Sequence, residues 1–150
     1  MVTSSSRATF LRRPPNGPTL EPMAEGNRRQ CQAVLVVDDD PDVREALADS
    51  IARTGRTVLG VGDGSEALSV LEAGTVPRPC LVFLDLMMAP MDGCEFLERL
   101  DARDDADQLP VLVVSANPES LPGDLRRRVL GSLRKPFGVE ELLAVLDRHC

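Results

Sequence analysis

The sequence predicts an α/β fold in which a parallel sheet is covered by helices on both faces. Three observations lead there. Short runs such as Ala33–Val37, Cys80–Leu84 and Val111–Val114 are apolar at every position and too short for helices. Each is followed by a segment whose apolar residues recur at helical spacing. Strands apolar on both faces, alternating with helices, belong to parallel sheets buried on both sides and joined by right-handed crossovers.

Each element has its own signal. Ala33–Val37 is the first strand, rich in β-branched valine. Asp40 reads as a helix N-cap with Pro41 in the first turn. Val43, Ala46, Leu47 and Ile51 share one face of that helix, and Gly55 stands where a C-cap glycine belongs. Thr57–Val61 is the second strand. Asp63 and Glu66 resemble a capping box that opens a helix through Leu71, closing near Gly74. Cys80–Leu84 is the third strand, and a helix with Phe96, Leu97 and Leu100 turned inward follows Gly93. Val111–Val114 is the fourth. A short helix is expected near Asp124–Leu130, a weak fifth strand near Gly131–Arg134 and a final helix over Val139–Arg148.

The 150 residues suit one domain, placed at residues 33–150. No apolar run exceeds five residues, whereas a membrane-spanning helix needs about 20. Arg12 and Arg13 run into Pro14 and Pro15 and not into an apolar stretch, so a secretory signal is not expected. Residues 1–32 hold five arginines, two glutamates and four prolines, a net +3, while the other 118 residues carry −10. Such a segment cannot bury enough apolar surface to offset chain entropy, and it is expected to be a disordered basic extension. Met23 offers an alternative start. A basic arm touching nucleic acid or an anionic membrane is the sharper alternative for this segment. Cysteines stand at 31, 80, 94 and 150 without a C-x-x-C pair, and His149 is the single histidine. That set does not make a zinc site. Cys80 reads as a small core residue. Nothing demands a disulfide, which points to a reducing, cytoplasmic setting.

In open parallel sheets the ligand crevice lies beyond the carboxyl ends of the strands. There the chain places Asp38, Asp39 and Asp40, then Asp85, Ser115 and Lys135. Taken singly, each has an ordinary explanation as a cap or turn residue. Together, three carboxylates converging from two strands must shift one another's pKa values or hold a cation. Oxygen donors with no cysteine or histidine among them suit Mg2+. Lys135 is the sole lysine among 17 basic residues. In a chain that otherwise uses arginine, its place at a strand end suggests a need for a compact ammonium.

The strings Val36-Val37-Asp38-Asp39-Asp40, Leu84-Asp85-Leu86-Met87-Met88 with Met91-Asp92-Gly93, Val114-Ser115-Ala116 and Lys135-Pro136-Phe137 resemble the receiver domain of bacterial response regulators. The resemblance spans residues 33–150 and leaves no room for an output domain. It implies a flavodoxin-like, doubly wound five-stranded sheet in the order 2-1-3-4-5. It further implies that Asp85 accepts a phosphoryl group from a sensor histidine kinase or a histidine phosphotransfer protein. Asp39, Asp85 and the Met87 carbonyl would ligate Mg2+, with Asp38 acting through water. Ser115 and Lys135 would hold phosphoryl oxygens, and Lys135–Pro136 would be a cis peptide. Signalling would pass to a downstream protein, with no direct contact to nucleic acid and no membrane insertion. The protein would not be an enzyme beyond its own phosphorylation and dephosphorylation.

Four departures accompany the resemblance. Ala89 stands before Pro90, where the family places proline directly after the second methionine. Ser132 occupies the position of an aromatic that reports phosphorylation, and the chain has no Tyr or Trp. The stretch from Ser115 to Lys135 is short, which predicts a fourth helix that is truncated or absent. The first 32 residues have no family counterpart. In the family, the positions of Met87 and Asn117 help to orient the water that hydrolyses the acyl phosphate. A methionine cannot hold that water, so slow loss of the phosphoryl group is expected.

Asp101–Asp107 reads as a solvated acidic loop and Arg126–Arg128 as a wet helix face. Two other function classes stay in view. One is a degenerate receiver serving as a docking module. The other is a haloacid-dehalogenase-like phosphatase, whose nucleophile would sit on the first strand and not the third.

Overall fold

The computed structural model describes residues 10–12 and 31–150. In chain order its elements are β1 (Phe10–Arg12), β2 (Ala33–Val37), α1 (Pro41–Ala52), β3 (Thr57–Val61), α2 (Gly64–Glu72), β4 (Cys80–Leu84), α3 (Gly93–Asp101), β5 (Val111–Ser115), α4 (Gly123–Arg126), β6 (Val129–Arg134) and α5 (Val139–His149). Short 3-10 turns lie at Ala106–Gln108 and Pro118–Ser120. Five strands are parallel neighbours in the order β3-β2-β4-β5-β6. This is the expected 2-1-3-4-5 sheet of a flavodoxin-like fold, with one strand added at its edge.

Successive side chains of a strand point to opposite faces, and the core divides accordingly. Leu35, Val37, Val82, Leu84, Val111 and Val113 pack with Phe96 and Leu97 of α3 and Leu71 of α2. Val34, Val36, Leu81, Phe83, Leu112 and Val114 pack with Leu47 and Ile51 of α1 and Leu142 and Leu146 of α5. Buried on both faces, β2, β4 and β5 can carry apolar residues almost throughout, while β6 is only partly buried. Aspartates start three of the helices: Asp40 accepts from Asp42 N at 2.9 Å, Asp63 from Glu66 N and Asp92 from Glu95 N, each at 2.8 Å. Glu66 answers at Gly62 N, 3.0 Å, one residue outside the usual capping box. Gly55 takes φ +91° just beyond α1, a conformation that strains a residue bearing a Cβ.

Several expectations are corrected. Ala46 is exposed on α1, and the buried stripe is Arg44, Leu47, Ala48 and Ile51. The predicted helix near Asp124–Leu130 stops at Arg126, and the last strand begins at Val129, earlier than Gly131. There Val129 pairs with Val111 before a register shift, so sheet pairing claims residues that composition left to the helix. The acidic stretch Asp101–Asp107 is only partly solvated. Asp105 is gripped by Arg103 at 2.8 Å and Arg78 at 3.1 Å, and the Arg103 hydrogen bond, with help from Arg78, pulls its carboxyl down to about 2. Arg128 reaches Asp101 at 2.8 Å and the carbonyls of Ala106 and Leu109, so it is not a wet side chain.

The extension expected to be structureless over residues 1–32 contains β1, antiparallel to β3 with Phe10 opposite Gly60 and Arg12 opposite Val58. An edge strand offers unpaired main-chain groups to any extended segment, whatever its side chains. Composition therefore gave no warning. The remainder of that expectation, at residues 1–9 and 13–30, lies outside the described residues. Within the same 1–32 span, Gln32 N donates to Pro79 O at 2.8 Å and Cys31 is disulfide-bonded to Cys150. That bond contradicts the expectation of no disulfide and removes the cysteine argument for a reducing compartment. Its partners lie 119 positions apart, so only the fold could pair them. Cys80 is the inert core residue expected, its thiol pushed up to about 12 by burial. No described helix is long and apolar enough to cross a membrane.

Candidate functional site

The parallel strands stop together, and each turns sharply into its helix or loop, so side chains just past β2, β4 and β6 meet above one edge of the sheet. Asp38 N donates to Val61 O at 3.2 Å and Asp85 N to Val37 O at 3.0 Å, which holds these strand ends side by side. Lys135 N donates to Ser115 O at 2.9 Å and brings the ammonium in from the other direction. The Lys135–Pro136 peptide is cis, as are Arg78–Pro79 and Ala89–Pro90.

Asp38, Asp39 and Asp85 each offer a carboxylate oxygen, and these atoms lie within 4.8 Å of one another. Asp38 and Asp85 are buried, while Asp39 is exposed at the mouth. Lys135 Nζ lies 2.9 Å from Asp38 Oδ2 and 3.7 Å from Asp85 Oδ2. Asp38 Oδ1 accepts from Asp40 N at 3.0 Å, and Asp85 Oδ1 accepts from Met87 N at 3.2 Å. Burial, and next the Asp38 carboxylate, push the Asp85 carboxyl up to about 6. The Lys135 ammonium and Met87 N–H resist the shift and Asp39 adds to it.

Three carboxylates against one ammonium leave uncompensated negative charge in a half-enclosed space. The donors are all hard oxygens, with neither thiolate nor imidazole in the group. The residues therefore fit a Mg2+ ion, which takes one or two carboxylates, a carbonyl and several waters. Ser115 is fully buried, and its Oγ accepts from Asn117 N at 3.0 Å. Met87 stands at the rim with 67% of its surface exposed. Asp40 faces away as the α1 cap. Ser132 is exposed on β6.

Gly93 explains how α3 comes so near. A Cβ there would sit 2.6 Å from both Asp85 O and Leu86 Cα, so only glycine lets the helix start against the strand end. Arg44 was missed by sequence reasoning, which traced the buried face through Val43, Ala46, Leu47 and Ile51. It is buried, and its Nη1 donates to Asp38 O at 2.8 Å. The signal was available: Arg44 precedes Leu47, Ala48 and Ile51 at the i, i+3, i+4, i+7 spacing of a buried stripe. A mostly apolar groove of about 520 Å3 adjoins Lys135, between α1 and α5.

Comparison with known proteins agrees with this architecture. The family model of the response regulator receiver domain matches residues 34–147. Response regulator MprA of Mycolicibacterium vanbaalenii and that of Mycobacterium ulcerans are each 41% identical over 118 residues, which is 74% of this chain and 47% of theirs. The chain thus spans about half the length of these curated relatives. The receiver domain of NtrX from Brucella abortus superposes with a TM-score of 0.67 at 30% identity, covering 77% of this chain and 96% of its own. TrrA from Thermotoga maritima, solved in complex with Mg(2+)-BeF, superposes with a TM-score of 0.69 at 23% identity, covering 79% of this chain and 99% of its own.

Proposed function

This chain belongs to the response regulator receiver family, a signalling family and not a classical enzyme class, and from that premise we propose that Asp85 is its phosphoacceptor. The Asp85 carboxylate attacks the phosphorus of a phosphohistidine on a sensor kinase or a histidine phosphotransfer protein. An acyl O–P bond forms as the P–N bond breaks, and the electron pair leaves with the imidazole. The observation that carries the reading is the meeting of the Asp38, Asp39 and Asp85 carboxylates within 4.8 Å, with the chain's sole lysine against two of them.

Asp39, Asp85 and the Met87 carbonyl would hold Mg2+ directly, and Asp38 through water. Once bound, the ion supplies positive charge against the phosphoryl oxygens, since phosphoryl transfer depends on positioning and charge neutralisation. The Lys135 ammonium leaves its Asp85 contact to pair with a phosphoryl oxygen. The Ser115 hydroxyl, which accepts from Asn117 N, donates its proton to another. Signalling then proceeds by protein contact. Residues 33–150 carry a net charge of −10, a poor match for a nucleic-acid backbone. The phosphatase alternative puts its nucleophile on the first strand, and the family membership speaks for Asp85 instead. A cytoplasmic location completes the reading. It sits uneasily with the Cys31–Cys150 bond, since cytosolic proteins rarely keep one, and thiol trapping at lysis checks it.

The test is intact mass after incubation with a small acyl-phosphate donor and Mg2+. One phosphoryl increment should appear, vanish with EDTA and fail in Asp85→Asn. A chain that gains no mass under these conditions is a docking module, the reading favoured by exposed Ser132 at the aromatic position.

A further inference from the structure

Arg44 occupies a core position of α1, with 3% of its surface exposed. Arginine is almost never so buried unless its charge is engaged. Its Nη1 donates to the main-chain oxygen of Asp38 at 2.8 Å, while its buried Nε has no hydrogen-bond partner among the described residues. An apolar side chain at this place in the stripe would pack without leaving a donor unsatisfied. A charged residue kept at such a cost calls for a reason beyond packing.

The contact supplies one. The Asp38 carbonyl belongs to the peptide that joins Asp38 to Asp39, and the other polar groups of Asp38 are already fixed. Its N–H goes to Val61 O, Oδ1 takes Asp40 N and Oδ2 takes Lys135 Nζ. Arg44 clamps the remaining atom. Asp39, by contrast, is exposed. We propose that Arg44 is a positioning residue for the cation site: by holding the Asp38–Asp39 peptide from beneath, it keeps the Asp39 carboxylate within reach of Asp85. This rests on the Mg2+ reading above.

Charge and geometry predict opposite signs, which makes the proposal testable. If Arg44 acted only as a nearby positive charge, removing it would tighten Mg2+ binding. If it acts by positioning, removing it weakens binding, by about tenfold on the scale found for groups that orient metal ligands. The experiment is calorimetric titration of the full chain with Mg2+, for the parent, Arg44→Met, Arg44→Lys and Asp39→Asn, with Tm of each measured in EDTA. Support is a loss of about tenfold or more in Arg44→Met with Tm unchanged or raised. Tighter or unchanged binding overturns the proposal, and so does a loss that comes with a fall in Tm. Should Arg44→Met fail to fold, Arg44→Lys decides, since it keeps the buried cation but not the planar donor. Unchanged affinity there overturns the proposal, and a tenfold loss supports it. If the parent binds Mg2+ no better than Asp39→Asn, the metal reading itself has failed and the proposal falls with it.

Discussion

In the folded chain Asp85 keeps its proton up to about pH 6, against an ordinary 3.8, because burial and the Asp38 carboxylate both oppose its charge. A carboxyl with a raised pKa costs stability when ionised. The cost is absent below pH 3.8, grows between 3.8 and about 6, and is complete above. After discounting for water at the cleft mouth, it should amount to about 1–2 kcal/mol at neutral pH. In EDTA, Asp85→Asn should therefore raise Tm by about 5 °C at pH 7.5, and the gain should shrink to nothing as pH falls to 4. A gain independent of pH would mean that the carboxylate's charge is not the cause. Met87 yields a kinetic counterpart. Its thioether, largely exposed at the rim, offers a water only a weak acceptor. Met87→Asn should hasten decay of the phosphorylated protein about tenfold, a modest share of what a positioned polar group can supply, as followed by intact mass over time. At this scale the sequence was easy to read where chemistry and strand ends coincide, as at Asp38, Asp85, Ser115 and Lys135. Arg44 was passed over, because the helical stripe was traced through apolar letters alone, although its spacing to Leu47, Ala48 and Ile51 was there to read.

Among the elements, α3 is set by a close approach and α4 by a shortage of chain. Gly93 opens α3 with its N–H on Leu86 O at 3.0 Å, and a Cβ there would overlap main-chain atoms that cannot step aside as a flexible side chain could. Gly93→Ala should destabilise the fold by about 1–3 kcal/mol, the usual cost of overpacking. It should also lower the yield of phosphorylated protein, because Asp85 is displaced with its own carbonyl. Urea unfolding and the phosphorylation assay together check this. Normal stability would mean that the helix start yields at little cost. The α4 region shows where sequence patterns lose force. Pro118, Pro122 and Gly123 crowd the stretch, and only four helical residues form before Val129 joins β5. A truncated helix was legible from spacing. Its end was not, since Val129 and Leu130 suit either element and the sheet decided between them. The short helix leaves Leu130 partly exposed beside a cleft of about 500 Å3 bordered by Leu121, Arg126 and Arg134.

For the whole molecule, four of the five parallel strands were predictable because a sheet buried on both faces writes itself as runs of apolar residues, whereas the half-exposed β6, with Gly131 and Ser132 in it, gave a weaker signal. The β1 strand and the Cys31–Cys150 bond were not, for a shared reason. One depends on main-chain groups of an open edge and the other on two chain segments 119 residues apart, and neither leaves a local pattern. The bond joins the residue two positions before β2 to the residue just after α5, and so ties together the two ends of the described domain. It does so at the foot of the sheet, opposite the acidic cluster, because β2 runs upward from Cys31 and α5 returns downward from the Lys135 loop. A link of this kind acts mainly on the unfolded chain, whose freedom it reduces. Loop-closure entropy for about 100 residues sets an upper value near 4.7 kcal/mol, and about 2–4 kcal/mol is typical. Cys150→Ser should accordingly lower the urea midpoint of the non-reduced protein by that stability. Mg2+ affinity should stay as it was, because the site lies at the other end of the strands. Cys31→Ser and the double variant should lose the same amount, and not twice as much, since each removes one shared bond. Additive losses would show that the two sulfurs stabilise the protein separately, and that its ends are not joined.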